Sequence, residues 1–208
     1  MALVVTINGG FAEVDAGSWL AGRGQPAAFY GSLSRRRRTG WFLRDRSALD
    51  LVETTGRAWF ADASRPFLTY IPCAAPLCAV SSKVLCAPAS ARAGAELVKT
   101  IPMGSKGAFA VTKFAVSSWV VMASASRTTR ISVAEGEVLS VRPGAVVAWT
   151  GPHPTGYVQR IGMLDILLPR APRELMLHFY GPCIVWAEGS PDLKASNLPN
   201  FTRRAYGV

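Results

Sequence analysis

The sequence is poor in histidine: His153 and His178 are the two in 208 residues. Neither has an Asp or Glu at a spacing that demands pairing. His178 alternates with Met176 and Tyr180 on one strand face, so it reads as a half-buried structural imidazole rather than a general base. His153 lies in GPHPTG, where two prolines and two glycines predict an exposed turn. The four cysteines, at 73, 78, 86 and 183, form no C-x-x-C and the first three have no histidine near them, which excludes a zinc motif. Reduced, buried thiols are expected, with a Cys73 bridge to Cys78 or Cys86 as the oxidised alternative. G-x-S-x-G is absent, and Gly104-Ser-Lys-Gly107 lacks the first glycine and the following helix of a phosphate loop. Glu135 and Glu137 flank Gly136 and read as acids of a hairpin tip, short of the oxygens calcium wants. The expectation is a chain that is not an enzyme and takes no metal or cofactor.

Long apolar runs are missing too. IGMLDILLP is broken by Asp165 and Pro169, well short of the roughly 18 to 20 residues that span a bilayer. A soluble or peripherally attached protein is expected. MALVVTINGG has no positive n-region, and no Arg-rich amphipathic presequence is visible.

What the chain does have is apolar material and positive charge. Half of its residues are hydrophobic, enough for a sizeable core, and its net charge of +10 favours nucleic acid, anionic lipid or an acidic partner. The basic residues cluster once, in SRRRRTGWFLRDR, where Arg35, Arg36, Arg37 and Arg38 are followed by Arg44 and Arg46. A solvated loop and a phosphate-binding segment are the two readings. Trp41 and Phe42 raise the second, since an aromatic beside arginines can stack on bases or seat in a protein groove.

Short strands bounded by Gly, Pro, Ser and Asn recur from end to end. They include Ala58 to Phe60, Phe114 to Met122, Val138 to Val141, Val146 to Trp149, Leu175 to Tyr180 and Ile184 to Ala187. Ser47 to Glu53 and Ala89 to Lys99 are the helix candidates, the second weakened by Gly94. From Thr128 to Gly151 the order of apolar alternation, acidic turn and Pro143-Gly144 predicts a β-meander whose second turn is type II, with Gly144 at positive φ. Val14 to Ala21 echoes Val141 to Ala148, with valine, glycine and alanine in common at the first, fourth and last positions. Trp119, Trp149 and Trp186 fall in strands and read as packing between sheets.

GEVLSVRPGAVVAWT resembles the most characteristic segment of the AIM24 family (altered inheritance of mitochondria 24), and ELMLHFYGPCIVWAEGS resembles that family's closing hairpin. KFAVSSWVVMASASRTTRISV is similar to the preceding hairpin, so the likeness covers mainly residues 113–190. Cys183 stands where the family usually has the second glycine of Gly-Pro-Gly, a departure that a negative φ would accommodate. The resemblance implies an all-β fold, a TRAP-like double-stranded β-helix or β-sandwich with pseudo-repeated units and little helix. It also implies a mitochondrial location, protein partners in a larger complex, and homo-oligomers, trimeric in some members.

The expectation is therefore one β domain over residues 1–208, with pseudo-repeated halves near 1–100 and 101–190 and a tail at 191–208. Its function reads as a non-enzymatic scaffolding subunit of a mitochondrial assembly. The alternative is an RNA-binding accessory of a mitochondrial ribosome, with Arg35 to Arg38, Arg44 and Arg46 on phosphates and Trp41 stacked on a base. A small-molecule-binding or enzymatic β-barrel ranks last.

Overall fold

The computed structural model describes residues 6–8, 10–22, 26–36, 49–99, 108–160, 173–189 and 201–205. Every strand pairing among them is antiparallel, and the pairing repeats three times along the chain. After β1 (Thr6–Asn8), the first repeat holds β2 (Phe11–Val14), β3 (Gly17–Ala21), β4 (Ala28–Phe29), β5 (Leu33–Arg36), β6 (Asp50–Thr54) and β7 (Ala58–Phe60). The second holds β8 (Phe67–Cys73), β9 (Leu77–Val80), β10 (Val84–Pro88), β11 (Arg92–Lys99), β12 (Ala108–Phe114) and β13 (Ser118–Ser124). The third holds β14 (Thr128–Val133), β15 (Glu137–Val141), β16 (Val146–Thr150), β17 (Thr155–Arg160), β18 (Arg173–Tyr180) and β19 (Cys183–Glu188), and β20 (Phe201–Ala205) follows.

Within each repeat the sixth strand pairs with the first and third, and the fifth with the second and fourth. Between repeats, the second strand pairs with the third strand of the next, as β3 with β10 and β9 with β16. The result is four sheets: sheet A, β1-β2-β7-β4; sheet B, β5-β6-β3-β10-β13-β8; sheet C, β11-β12-β9-β16-β19-β14; and sheet D, β17-β18-β15-β20. Division into two halves is thus replaced by three repeats. The echo of Val14–Ala21 in Val141–Ala148 joins strands that are not equivalent, because β3 corresponds to β15 and not to β16.

Three apolar cores separate the sheets. The first, between A and B, contains Val14, Trp19, Phe60 and Val121; the second, between B and C, contains Leu20, Ile71, Leu77, Met122 and Trp186; the third, between C and D, contains Cys78, Leu139, Trp149, Leu177 and Phe179. Successive residues of one strand enter different cores, as Trp19 and Leu20 do, because side chains alternate across a sheet. Sheets B and C are therefore covered on both faces. This is why LCAV of β9 and VVAW of β16 read as unbroken apolar runs and lack polar alternation. Each large apolar side chain so enclosed contributes roughly 1.5–3 kcal/mol.

Several local expectations are corrected. Asp50–Thr54 is a strand with an alternating burial pattern, and Arg92–Lys99 is a strand entered through the 3-10 turn Ala89–Ala91, so neither helix candidate forms over those residues. Residues 47 and 48 lie outside the described residues. Phe114 to Met122 is not one strand: Ser117 takes φ 63° and the chain turns between β12 and β13. Pro143–Ala145 is a 3-10 turn in which the Ala145 N–H donates to the Arg142 carbonyl at 2.9 Å. Gly144 has no positive φ, so the type II turn is replaced by a tighter one that Pro143 starts at no hydrogen-bond cost. Gly136 does take positive φ, at 77°, and the Glu137 carboxylate caps that turn by accepting from the Ala134 N–H at 2.8 Å. Cys183, the first residue of β19, has negative φ, so the missing glycine costs nothing there.

Candidate functional site

The basic cluster divides at the limit of the described residues. Arg35 and Arg36 lie on β5, the edge strand of sheet B, opposite Val52 and Leu51 of β6. Arg37, Arg38, Trp41, Arg44 and Arg46 lie outside the described residues, as does Ser105. His153 is exposed and sits edge-on to Trp149 at 5.9 Å, while His178 is half-buried on β18 opposite Ser140. The two imidazoles are on different elements. All four cysteines are buried thiols outside any disulfide, in place of the bridge from Cys73. Burial pushes the thiols of Cys73, Cys86 and Cys183 above their ordinary range, the Ser118 hydrogen bond opposing this at Cys73. Trp119, Trp149 and Trp186 pack between sheets, as their strand positions suggest.

A buried ion pair is the strongest electrostatic feature. Lys83 ends the 3-10 turn Ser81–Lys83; its Nζ donates to Glu188 Oε1 at 2.6 Å and to the Gly144 carbonyl at 2.6 Å. Burial lowers the Lys83 pKa, the hydrogen bond and charge of Glu188 oppose that shift, and Arg65 adds to it. The three groups come from β19 and the equivalent turns of repeats two and three, so the pair ties one repeat to the next. Nothing in the sequence marks Lys83, which stands in an unremarkable SSK.

The outer face of sheet A carries a cluster of exposed aromatics. Ala12, Val14, Ala58 and Phe60 point into the first core, which turns Phe11, Glu13 and Trp59 outward. Ala28 of β4 lies opposite Trp59 and shares its face. Tyr30 follows, held by its N–H on the Arg57 carbonyl at 2.8 Å, with its ring edge-on to Trp59 at 5.4 Å. Gly56 makes that approach feasible, because a Cβ there would strike the Tyr30 carbonyl. Tyr30 is 70% exposed and Phe11 43%, while Trp59 is half-buried. Arg57 borders the cluster, 3.3 Å from Glu13 and 3.8 Å from Asp15.

The repeat explains why this face is uncovered among the described residues. Trp59 faces Ala28 as Val121 faces Cys86 and Trp186 faces Ala148. Val121 completes the first core and Trp186 the second, each packing against the repeat before its own. Trp59 occupies the same slot in the first repeat, on the face of sheet A turned away from the first core. Sequence periodicity could not single it out, since AWF looks like any short strand.

No family model matches the chain, and no curated protein matches it in sequence. Its fold does recur. The crystal structure of protein SPYM3_0169 from Streptococcus pyogenes matches with a TM-score of 0.66, covering 91% of this chain and 93% of that one at 12% identity. At that identity the likeness shows the fold alone, an all-β sandwich. Among the described residues, no group of three His, Cys, Asp or Glu could hold a metal ion, and no helix is long and apolar enough to cross a membrane.

Proposed function

We propose that the protein is a scaffolding subunit of a mitochondrial assembly, without enzymatic activity, which binds partner proteins through the outer face of sheet A. The observation that carries this reading is the placement of Trp59 and Tyr30: a half-buried Trp in ring contact with an exposed Tyr at a position that the other repeats bury, with Phe11 exposed on the same face. Contiguous exposed apolar surface with a polar rim is characteristic of protein contact sites, and Trp, Tyr and Arg are the residues that dominate their energetics. The buried charges serve cohesion, since Lys83 and Glu188 neutralise each other inside the fold. The mitochondrial location rests on the resemblance of residues 113–190 to the AIM24 family.

The competing reading takes Arg35 to Arg38, Arg44, Arg46 and Trp41 as an RNA contact. It is favoured by the position of Arg35 and Arg36 on β5, an edge strand of sheet B among the described residues. Purification of the tagged chain from its native source separates the two. A discrete protein complex that is lost on Trp59→Asp with Tyr30→Asp supports the scaffold. RNA binding that falls steeply with salt and is abolished by Arg35→Ser through Arg38→Ser overturns it.

A further inference from the structure

The strand β20 takes the slot that the third strand of the following repeat takes beside the first two. In the first two repeats the outer edge of the second strand is covered by the third strand of the next, with Ala21 opposite Cys86 and Leu20 opposite Ala87, then Ala79 opposite Ala148 and Cys78 opposite Trp149. Ala21, Ala79 and Val141 each point into the core of their own repeat, so they are equivalent. Val141 lies opposite Phe201 and Ser140 opposite Thr202. β20 thus takes the same edge, in the same antiparallel sense and register, as β10 and β16.

The difference lies in how it is held. β10 is paired on both sides, by β3 and β13, and β16 by β9 and β19. β20 is the last strand of sheet D and, among the described residues, pairs with β15 alone. A strand held by a single ladder is marginal compared with one fixed within a sheet. At the other end of the chain, β4 pairs with β7 and its second edge is open among the described residues. Its Ala28 occupies the slot of Cys86 and Ala148, because it faces Trp59 as they face Val121 and Trp186.

We propose that β20 is a detachable cap, and that its release lets a second copy of this chain dock its sheet A on the exposed edge of β15. β4 of the incoming copy lies antiparallel to β15, with Ala28 opposite Val141 and Phe29 opposite Ser140. Trp59 of that copy then covers the third core as Val121 covers the first. The contact is head-to-tail, since each added copy presents its own β15 to the next, and it generates rings or open arrays depending on the angle between copies. Strand addition at a sheet edge supplies main-chain hydrogen bonds, and the aromatic face supplies the apolar burial. This builds on the proposed function only in treating the outer face of sheet A as an interface; the occupant and the cap are read from the strand register.

The test uses the full chain. Of two successive residues in a strand, one N–H faces each side, so Thr202→Pro together with Arg203→Pro removes at least one donor from the β15 ladder. Sedimentation of the wild-type chain is expected to show a monomer. The double-proline chain is expected to form dimers and larger species whose proportion rises with concentration, and adding Trp59→Asp is expected to return it to monomer. A folded double-proline chain that stays monomeric overturns the proposal, as does self-association that ignores Trp59 or a wild-type chain already associated through it. Should the prolines abolish the β-sheet circular dichroism, hydrogen exchange of the wild type decides: amides of β20 exchanging far faster than those of β10 and β16 support a detachable cap, and equal protection contradicts it. Loss of the native protein complex on Trp59→Asp without any effect of the prolines would leave the scaffold standing and remove the cap.

Discussion

Lys83 Nζ lies 2.6 Å from Glu188 Oε1, at a junction where the turn before β10 meets the end of β19 and the carbonyl of Gly144. Both side chains are largely withdrawn from solvent, 8% and 14% exposed. Glu188 also approaches the Ala125 N–H at 3.4 Å, so its carboxylate meets the loop between β13 and β14 as well. One ion pair therefore gathers four segments from the second and third repeats.

Breaking that pair from one side leaves a charge without its partner in an apolar surrounding. Lys83→Met and Glu188→Gln are each expected to lower stability by about 3–5 kcal/mol in urea denaturation. The double change Lys83→Met with Glu188→Met is expected to recover much of the loss, because it removes both desolvation costs. Single variants within 1 kcal/mol or so of wild type would show that water reaches the pair.

The thiols set the alkaline limit of stability. Their folded pKa values are raised by burial, so above the ordinary value of about 8.5 the unfolded chain gives up protons that the folded chain keeps. Stability is fully present below that pH and falls above it, by up to ~1.4 kcal/mol per pH unit for each thiol. Lys83 acts in the opposite sense. Its folded pKa is lowered, so stability gains as pH rises toward about 10.4, yet one lysine opposes three thiols. Denaturation midpoints measured from pH 8 to 10 are expected to fall, and all four cysteines should resist a thiol reagent until the chain unfolds.

Gly181 is a second structural test. A Cβ built on it would collide with the Ala134 carbonyl, and its N–H donates to the Glu137 carbonyl at 3.0 Å. Gly181→Ala must push the β18–β19 turn away from the β14–β15 turn, at an expected cost of roughly 1–3 kcal/mol. Gly144→Ala, at a glycine with open space around it and negative φ, is expected to be close to neutral. Thermal melts of the two variants check the contrast.

The fold class was legible because strands announce themselves locally. Val138–Val141, Val146–Trp149 and Ala58–Phe60 follow from β-branched and aromatic residues between turn formers. The threefold pairing was not legible, since each repeat brings together strands far apart in sequence: Ala12 lies opposite Phe60, and Val133 opposite Cys183. Side-chain similarity does not survive between equivalent slots either, as Trp59, Val121 and Trp186 show. Of the proposed contact face, Trp59 was visible within the short strand Ala58 to Phe60, and Tyr30 was not singled out. Its meeting with Trp59 depends on the Gly56 turn and the β4–β7 register. The Arg35–Arg38 run was conspicuous, but charge alone does not name a partner.

The contact face itself is tested most directly by purifying the tagged wild-type chain and its Trp59→Asp, Tyr30→Asp variant side by side from the native source. Both should be folded by circular dichroism, because Tyr30 is exposed and Trp59 is outside the three cores. The scaffold reading predicts a discrete protein complex around the wild type and a free chain for the variant. A wild-type chain that migrates alone, or a complex that survives both substitutions, would contradict it.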